Sequence, residues 1–141
     1  MVLQSRCKSC FNRSKILAPL NEPLLILGET GTGKELIAKE VHNQSGRPKD
    51  CLAVNCAELN PELLASELFG HERGAFTSAV QARNGLIAEA GEGTILLDEI
   101  ADLDLHAQAK LLRVLEEKKI RRVGGNRWEN VKARILLATM T

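Results

Sequence analysis

Gly28-Glu29-Thr30-Gly31-Thr32-Gly33-Lys34 follows an apolar run, Pro23-Leu24-Leu25-Ile26-Leu27, and opens a segment of helical spacing from Glu35 to Asn43. A strand, a glycine-rich turn ending in Gly-Lys and a helix form the arrangement that wraps a nucleotide phosphate chain. Glycine lets backbone N–H groups turn inward onto phosphate oxygens. The helix N-terminus adds a partial positive charge, and Lys34 adds a full one. The next position in such loops is usually Ser or Thr, whose hydroxyl holds Mg2+; here it is Glu35. An ionised carboxylate cannot donate to phosphate, so it either neutralises Lys34 or sits on the first helical turn, where a negative charge is favoured.

Working outward, strand and helix signals alternate, which argues for a parallel α/β sheet. Apolar runs at 23–27, 52–54, 94–97 and 134–138 read as buried strands. Leu36, Ile37 and Val41 share one helical face. Leu63, Leu64 and Leu68 share another, in a helix starting at Pro61. Leu111, Leu112, Val114 and Leu115 mark a helix running to about Lys118, with Asp104 as its N-cap. Residues 70–84, GHERGAFTSAVQARN, follow neither period and read either as a functional loop or as a disordered surface excursion.

The second chemical signal is Gly93-Thr94-Ile95-Leu96-Leu97-Asp98-Glu99, an apolar strand ending in two acids. In a phosphate-loop ATPase the first acid, Asp98, holds Mg2+ through water, and the second, Glu99, orients or deprotonates the attacking water. Successive strand side chains point to opposite faces, so both acids reach one site only if the backbone turns at the strand end. Open α/β sheets bind ligands at that edge.

The chain has 141 residues, 44% apolar, 26% charged and 3% aromatic, enough for one domain with an aliphatic core. A net charge of +1 gives no electrostatic case for nucleic acid. No apolar stretch is long enough to span a bilayer. Arg6, Lys8, Arg13 and Lys15 lie in a leading stretch without acids, which reads as the basic face of a helix rather than a transit segment. Cys7 and Cys10 form one CxxC with no second pair at zinc-binding spacing, so the thiols, with Cys51 and Cys56, read as reduced and the chain as cytoplasmic. His42, His71 and His106 stand apart and read as surface or satisfied polar residues.

With these residues in place, the string GETGTGKE resembles the Walker A motif of the AAA+ domain of bacterial sigma-54-dependent transcriptional activators. In that family Glu normally follows the lysine. Asn55-Cys56-Ala57, Ser66 to Glu72 (SELFGHE), Gly74 to Ala79 (GAFTSA against GAFTGA), Thr94 to Ile100, and KLLRVL with RVGG at 110–115 and 122–125 extend the likeness nearly end to end. The resemblance implies a P-loop NTPase (AAA+) three-layer α/β sandwich with a central parallel sheet over residues 1–141, its helical lid absent. ATP and Mg2+ are the implied cofactors. Gly28, Glu29, Thr30, Gly31, Thr32, Gly33, Lys34, Glu35, Asp98 and Thr139 are the implied nucleotide contacts, with Asp98 as the Mg2+ residue. Glu99 is the implied catalytic carboxylate, paired with Asn55 as a switch.

The resemblance further implies that 70–84 is the inserted loop touching sigma-54 bound to RNA polymerase, with Gly74, Ala75, Phe76, Thr77, Ser78 and Ala79 at its contact. It implies a hexameric ring that remodels the closed promoter complex, and DNA contact only through a domain outside this chain. Ser78 stands where the family has glycine, and Met140 where it has the Asn of its nucleotide sensor. Ser78 would be strained if that position needs φ > 0. Thr141 follows a strand run directly, which reads as a fragment lacking the family's arginine fingers and lid. Two other readings are a truncated module that binds nucleotide or sigma-54 without turnover, and a small-molecule kinase of another phosphate-loop class. The ELFGHERGAFTSA string and the Asp98-Glu99 pair argue against the kinase.

Overall fold

A computed structural model describes residues 2–4, 19, 21–29 and 33–140. Thr30, Gly31 and Thr32 of the phosphate loop lie outside the described residues, as do Cys7, Cys10, Arg6, Lys8, Arg13 and Lys15. In chain order the elements are β1 (Val2–Gln4), β2 (Leu24–Leu27), α1 (Lys34–Ser45), β3 (Cys51–Asn55), α2 (Leu64–Phe69), β4 (Gly70–His71), β5 (Arg83–Asn84), α3 (Leu86–Glu89), β6 (Thr94–Asp98), α4 (Leu105–Glu117), β7 (Lys119–Arg121), β8 (Trp128–Asn130) and β9 (Arg134–Thr139). Single 3₁₀ turns lie at Cys56–Glu58 and Ile100–Asp102.

The central sheet runs β1-β2-β9-β6-β3, every pair parallel. Parallel strands covered on both faces read as unbroken apolar runs, which holds for the two central runs, β6 and β9; the runs at 23–27 and 52–54 are also strands. Side-chain alternation divides the core into two layers. Leu96 pairs with Leu136, and Leu136 with Leu24, a leucine row that packs under Ile37, Ala38 and Val41 of α1. Ile95 and Leu97 face the other way, against Leu68 and Phe69 of α2, Ile87 of α3 and Leu111 and Val114 of α4. Each fully buried leucine contributes about 1.5–3 kcal/mol of transfer free energy. The three-layer α/β sandwich is the architecture the sequence led us to expect.

The helix ends follow from local chemistry. Asp104 caps α4, its carboxylate accepting from Ala107 N–H at 2.7 Å. Lys118 closes the same helix in the left-handed region, φ 55°, with its N–H bonded to Val114 C=O at 2.8 Å. The buried pair His42 Nδ1 and Thr94 Oγ1, 2.7 Å apart, ties α1 to β6. His71 is buried and hydrogen-bonded, and His106 is exposed.

Val2–Gln4 adds an edge strand beside β2, and the leading helix expected around Arg6, Lys8, Arg13 and Lys15 lies outside the described residues. Two expectations change. The helix expected from Pro61 begins at Leu64, because Asn60 organises a preceding turn: its side chain accepts from Glu62 N–H and its carbonyl from Leu63 N–H, each at 3.0 Å. The 70–84 loop has a neck: β4 pairs antiparallel with β5, Gly70 opposite Asn84 and His71 opposite Arg83. That neck needs glycine. A Cβ on Gly85 would lie 2.3 Å from the Leu68 carbonyl oxygen, and one on Gly70 would lie 2.6 Å from that of Arg83.

Candidate functional site

The C-terminal edge of the sheet gathers the residues read as chemical. β2 delivers Gly28, whose N–H donates to Thr139 C=O at 3.2 Å. Leu27 pairs with Thr139 in register, so the end of β9 lies beside the start of the phosphate loop. Gly33, φ 82°, turns the chain into α1 in the left-handed region that glycine adopts without cost. Among the described residues no side chain caps α1, which leaves its first N–H groups as donors for an anion. Glu29 is exposed.

Lys34 is the centre of the site. It is 5% exposed, and its Nζ has no hydrogen-bond partner among the described residues. Asp98 Oδ1 lies 3.8 Å away and Glu99 Oε1 3.7 Å away. A buried ammonium with two carboxylates beyond hydrogen-bond reach has its charge balanced and its donors unused. A buried donor without a partner costs about 1–3 kcal/mol, more when charged. Phosphate oxygens are the groups that would satisfy it, so these residues fit a nucleotide phosphate chain.

Glu99 explains how adjacent residues of a strand reach one ammonium. Its backbone is left-handed, φ 57° and ψ 48°, and its N–H donates to Asp98 Oδ1 at 2.8 Å. The reversal cancels the alternation that would have put the two carboxylates on opposite faces. Glu35 points elsewhere: it is exposed and ion-paired to Lys39 at 3.5 Å, one helical turn on. Its charge therefore sits on the first turn of α1 instead of neutralising Lys34.

Asn55 is in register with Asp98 on the neighbouring strand. Its Oδ1 accepts from Ala57 N–H at 3.0 Å and starts the 3₁₀ turn there. Cys56 follows, buried. Burial first, then the charges of Asp98, Asp102 and Glu99, push its thiol up to about 11. It is a packing residue, not a nucleophile. Met140 is exposed just beyond Thr139.

The 70–84 loop lies beyond α2. Gly74 N–H donates to Ala79 C=O at 2.8 Å, and Ala79 N–H to Phe76 C=O at 3.0 Å. The second bond closes a β-turn over 76–79 whose central residues, Thr77 and Ser78, are exposed. Among the described non-glycine residues only Glu99 and Lys118 have positive φ. Ser78 therefore sits in this turn without left-handed strain. Phe76 turns back onto His71, with ring centroids 5.0 Å apart and planes at 67°. Ala75 packs against Gly124 of the 122–125 segment, where a Cβ would meet the Ala75 Cβ at 2.8 Å. Sequence reading did not find that last contact or the role of His71. The only signal for either was the spacing of RVGG after an amphipathic helix.

Comparison with known proteins adds to this geometry. A model of the family described as "Sigma-54 interaction domain" matches residues 1–141. The chain is 52% identical over 131 residues to the regulatory protein AtoC of Escherichia coli K12, covering 92% of this chain and 28% of AtoC. It is 50% identical over 124 residues to the sigma-54-dependent transcriptional activator SfnR of Pseudomonas putida, covering 87% of this chain and 34% of SfnR. The chain thus spans about a third or less of these relatives. Among solved structures, NtrX of Brucella abortus in complex with ADP superposes with a TM-score of 0.82 at 36% identity, covering 94% of this chain and 29% of NtrX. The same protein in complex with ATP gives 0.79 at 36% identity over 93% of this chain and 28% of NtrX.

Proposed function

The chain belongs to the sigma-54 interaction domain family, and from that premise we propose that it is the ATP-binding and ATPase module of a sigma-54-dependent activator, acting on RNA polymerase through its 70–84 loop. The observation that carries this reading is Lys34: a buried ammonium with no hydrogen-bond partner among the described residues, 3.7–3.8 Å from Asp98 and Glu99, at the start of α1, which no described side chain caps.

ATP supplies the phosphoanhydride bond whose hydrolysis drives the module. Lys34 and the first N–H groups of α1 would hold the phosphate chain, with Gly28, Glu29, Thr30, Gly31, Thr32 and Gly33 as the loop that contacts it and Glu35 on the first turn of α1. Asp98 would hold Mg2+ through water, and the ion would supply positive charge to the phosphate oxygens. Glu99 accepts the proton of the attacking water. Asn55, level with Asp98, switches Glu99 between resting and working positions. Thr139, hydrogen-bonded to the start of the phosphate loop, reports the state of the site to β9. Gly74, Ala75, Phe76, Thr77, Ser78 and Ala79 present the partner surface. The working form is a hexameric ring in the cytoplasm that remodels the closed complex, with DNA contact supplied by parts of the parent protein outside this chain.

The test is nucleotide binding and turnover across protein concentration. Lys34→Ala is expected to weaken Mg-ATP binding by at least about tenfold, the loss of one charged hydrogen-bonding group. Glu99→Gln is expected to keep binding and lower turnover about 10²–10⁴-fold. Unchanged binding in Lys34→Ala rejects the site. Binding without turnover in the unsubstituted chain at every concentration selects the second reading, a non-hydrolysing module. Met140 at the sensor position favours that reading, because a thioether cannot donate to phosphate.

A further inference from the structure

Resting on the reading of 70–84 as the partner loop, we infer that His71 is the positioning residue that fixes this loop, and with it Phe76, on α2. His71 is buried at the neck, 7% exposed. Its ring makes three contacts in three directions: Nδ1 lies 2.5 Å from Ser66 Oγ on α2, Nε2 lies 2.8 Å from Gln81 C=O on the returning limb, and the ring meets Phe76 edge-on at 5.0 Å. Its backbone also bridges to Val123. One side chain therefore joins a core helix, both limbs of the loop and the neighbouring 122–125 segment.

The chemistry selects histidine. A carbonyl only accepts, so Nε2 carries the hydrogen. In the neutral ring Nδ1 is then the acceptor of a hydrogen bond donated by the Ser66 hydroxyl. An aliphatic residue of similar volume would leave the Gln81 carbonyl and Ser66 hydroxyl without this partner, and the ring edge under Phe76 would be lost. Glutamine can restore the donor toward Gln81 but not the three-way contact.

The experiment uses the full chain without partner first. Imidazole ¹⁵N shifts should report an Nε2–H tautomer for His71. In His71→Leu, amide hydrogen exchange at Gly74 and Ala79, whose N–H groups close the loop, should accelerate about tenfold, while Leu96 and Leu97 of β6 stay unchanged. His71→Gln should fall between Leu and the unsubstituted chain. Ser66→Ala keeps the ring, removes one contact and should give a smaller acceleration of the same amides; it serves if His71→Leu does not fold. An Nδ1–H tautomer, unchanged loop exchange, or equal acceleration in β6 would overturn the inference. A second arm measures sigma-54 binding with Mg-ATP. His71→Leu should lose about tenfold in partner affinity with nucleotide affinity unchanged, and His71→Gln should regain part of it. If the unsubstituted chain binds no sigma-54, the functional reading fails, while the exchange arm still decides whether His71 positions the loop.

Discussion

Glu99 carries a local backbone cost in the site. A non-glycine residue in the left-handed region costs about 1–2 kcal/mol, and such strain persists where surrounding structure enforces it. Here the reward is visible: Asp98 and Glu99 both reach Lys34. Glu99→Gly should therefore raise stability by up to about 1 kcal/mol in chemical denaturation, after the backbone entropy of glycine is set against the relieved strain, and should abolish turnover. Glu99→Gln keeps the backbone and removes one of the two carboxylates beside Lys34, so its stability change reports the charge contribution separately from the backbone. A destabilised Glu99→Gly variant would show that the left-handed backbone is not strained. The acid pair was legible in the sequence as a strand terminus. The way the two carboxylates converge was not, because a single φ value leaves no periodic trace. Ser78 shows the reverse: a substitution that reads as strained occupies an ordinary turn.

At the scale of elements, legibility followed pattern strength. The runs of β6 and β9 are continuous and apolar because core clusters cover them on both sides, while β2 packs its Leu24 and Ile26 under α1, and α4 announced itself by its apolar stripe and Asp104. What escaped had no period to detect. β1 is three residues long, β4 and β5 are two each, and both faces of β8 are exposed. These pieces exist because tertiary contacts hold them, as the neck shows with its two glycines. α4 offers a clean test of local energetics. Asp104→Ala should cost about 1 kcal/mol through the lost N-cap. Lys118→Gly should gain up to about 1 kcal/mol by relieving its left-handed φ. The two effects should add in thermal or urea unfolding, since the sites lie at opposite ends of the helix. A loss of stability in Lys118→Gly would mean that the lysine makes a favourable contact outweighing its backbone strain.

At the scale of the molecule, the site joins two packing layers. Lys34 begins the helix that covers one face of the sheet, and the acids end the strand that lies between both. A ligand that satisfies Lys34 should therefore stabilise the whole domain. At about 100 times its Kd, Mg-ATP should add about 2.7 kcal/mol, a rise in Tm of roughly 5–10 °C for a chain of this size. Thermal scans with and without nucleotide check this, and Lys34→Ala should shift little. An equal shift in that variant would place the stabilising contact elsewhere.

The position of β9 has a consequence for how the chain reaches this state. It lies between β2 and β6 and pairs with both, yet it follows both in sequence. During synthesis the strands of the β2–α1 segment and of the β3–β6 pair are therefore made with an apolar edge open on each. Contacts such as His42–Thr94 can bring α1 to β6, but only when residues 134–139 arrive can the strands join in one sheet. Such long-range closure slows folding and leaves sticky edges exposed meanwhile, so the strand that unites the two halves of the site also sets the interval in which a nascent chain is most vulnerable.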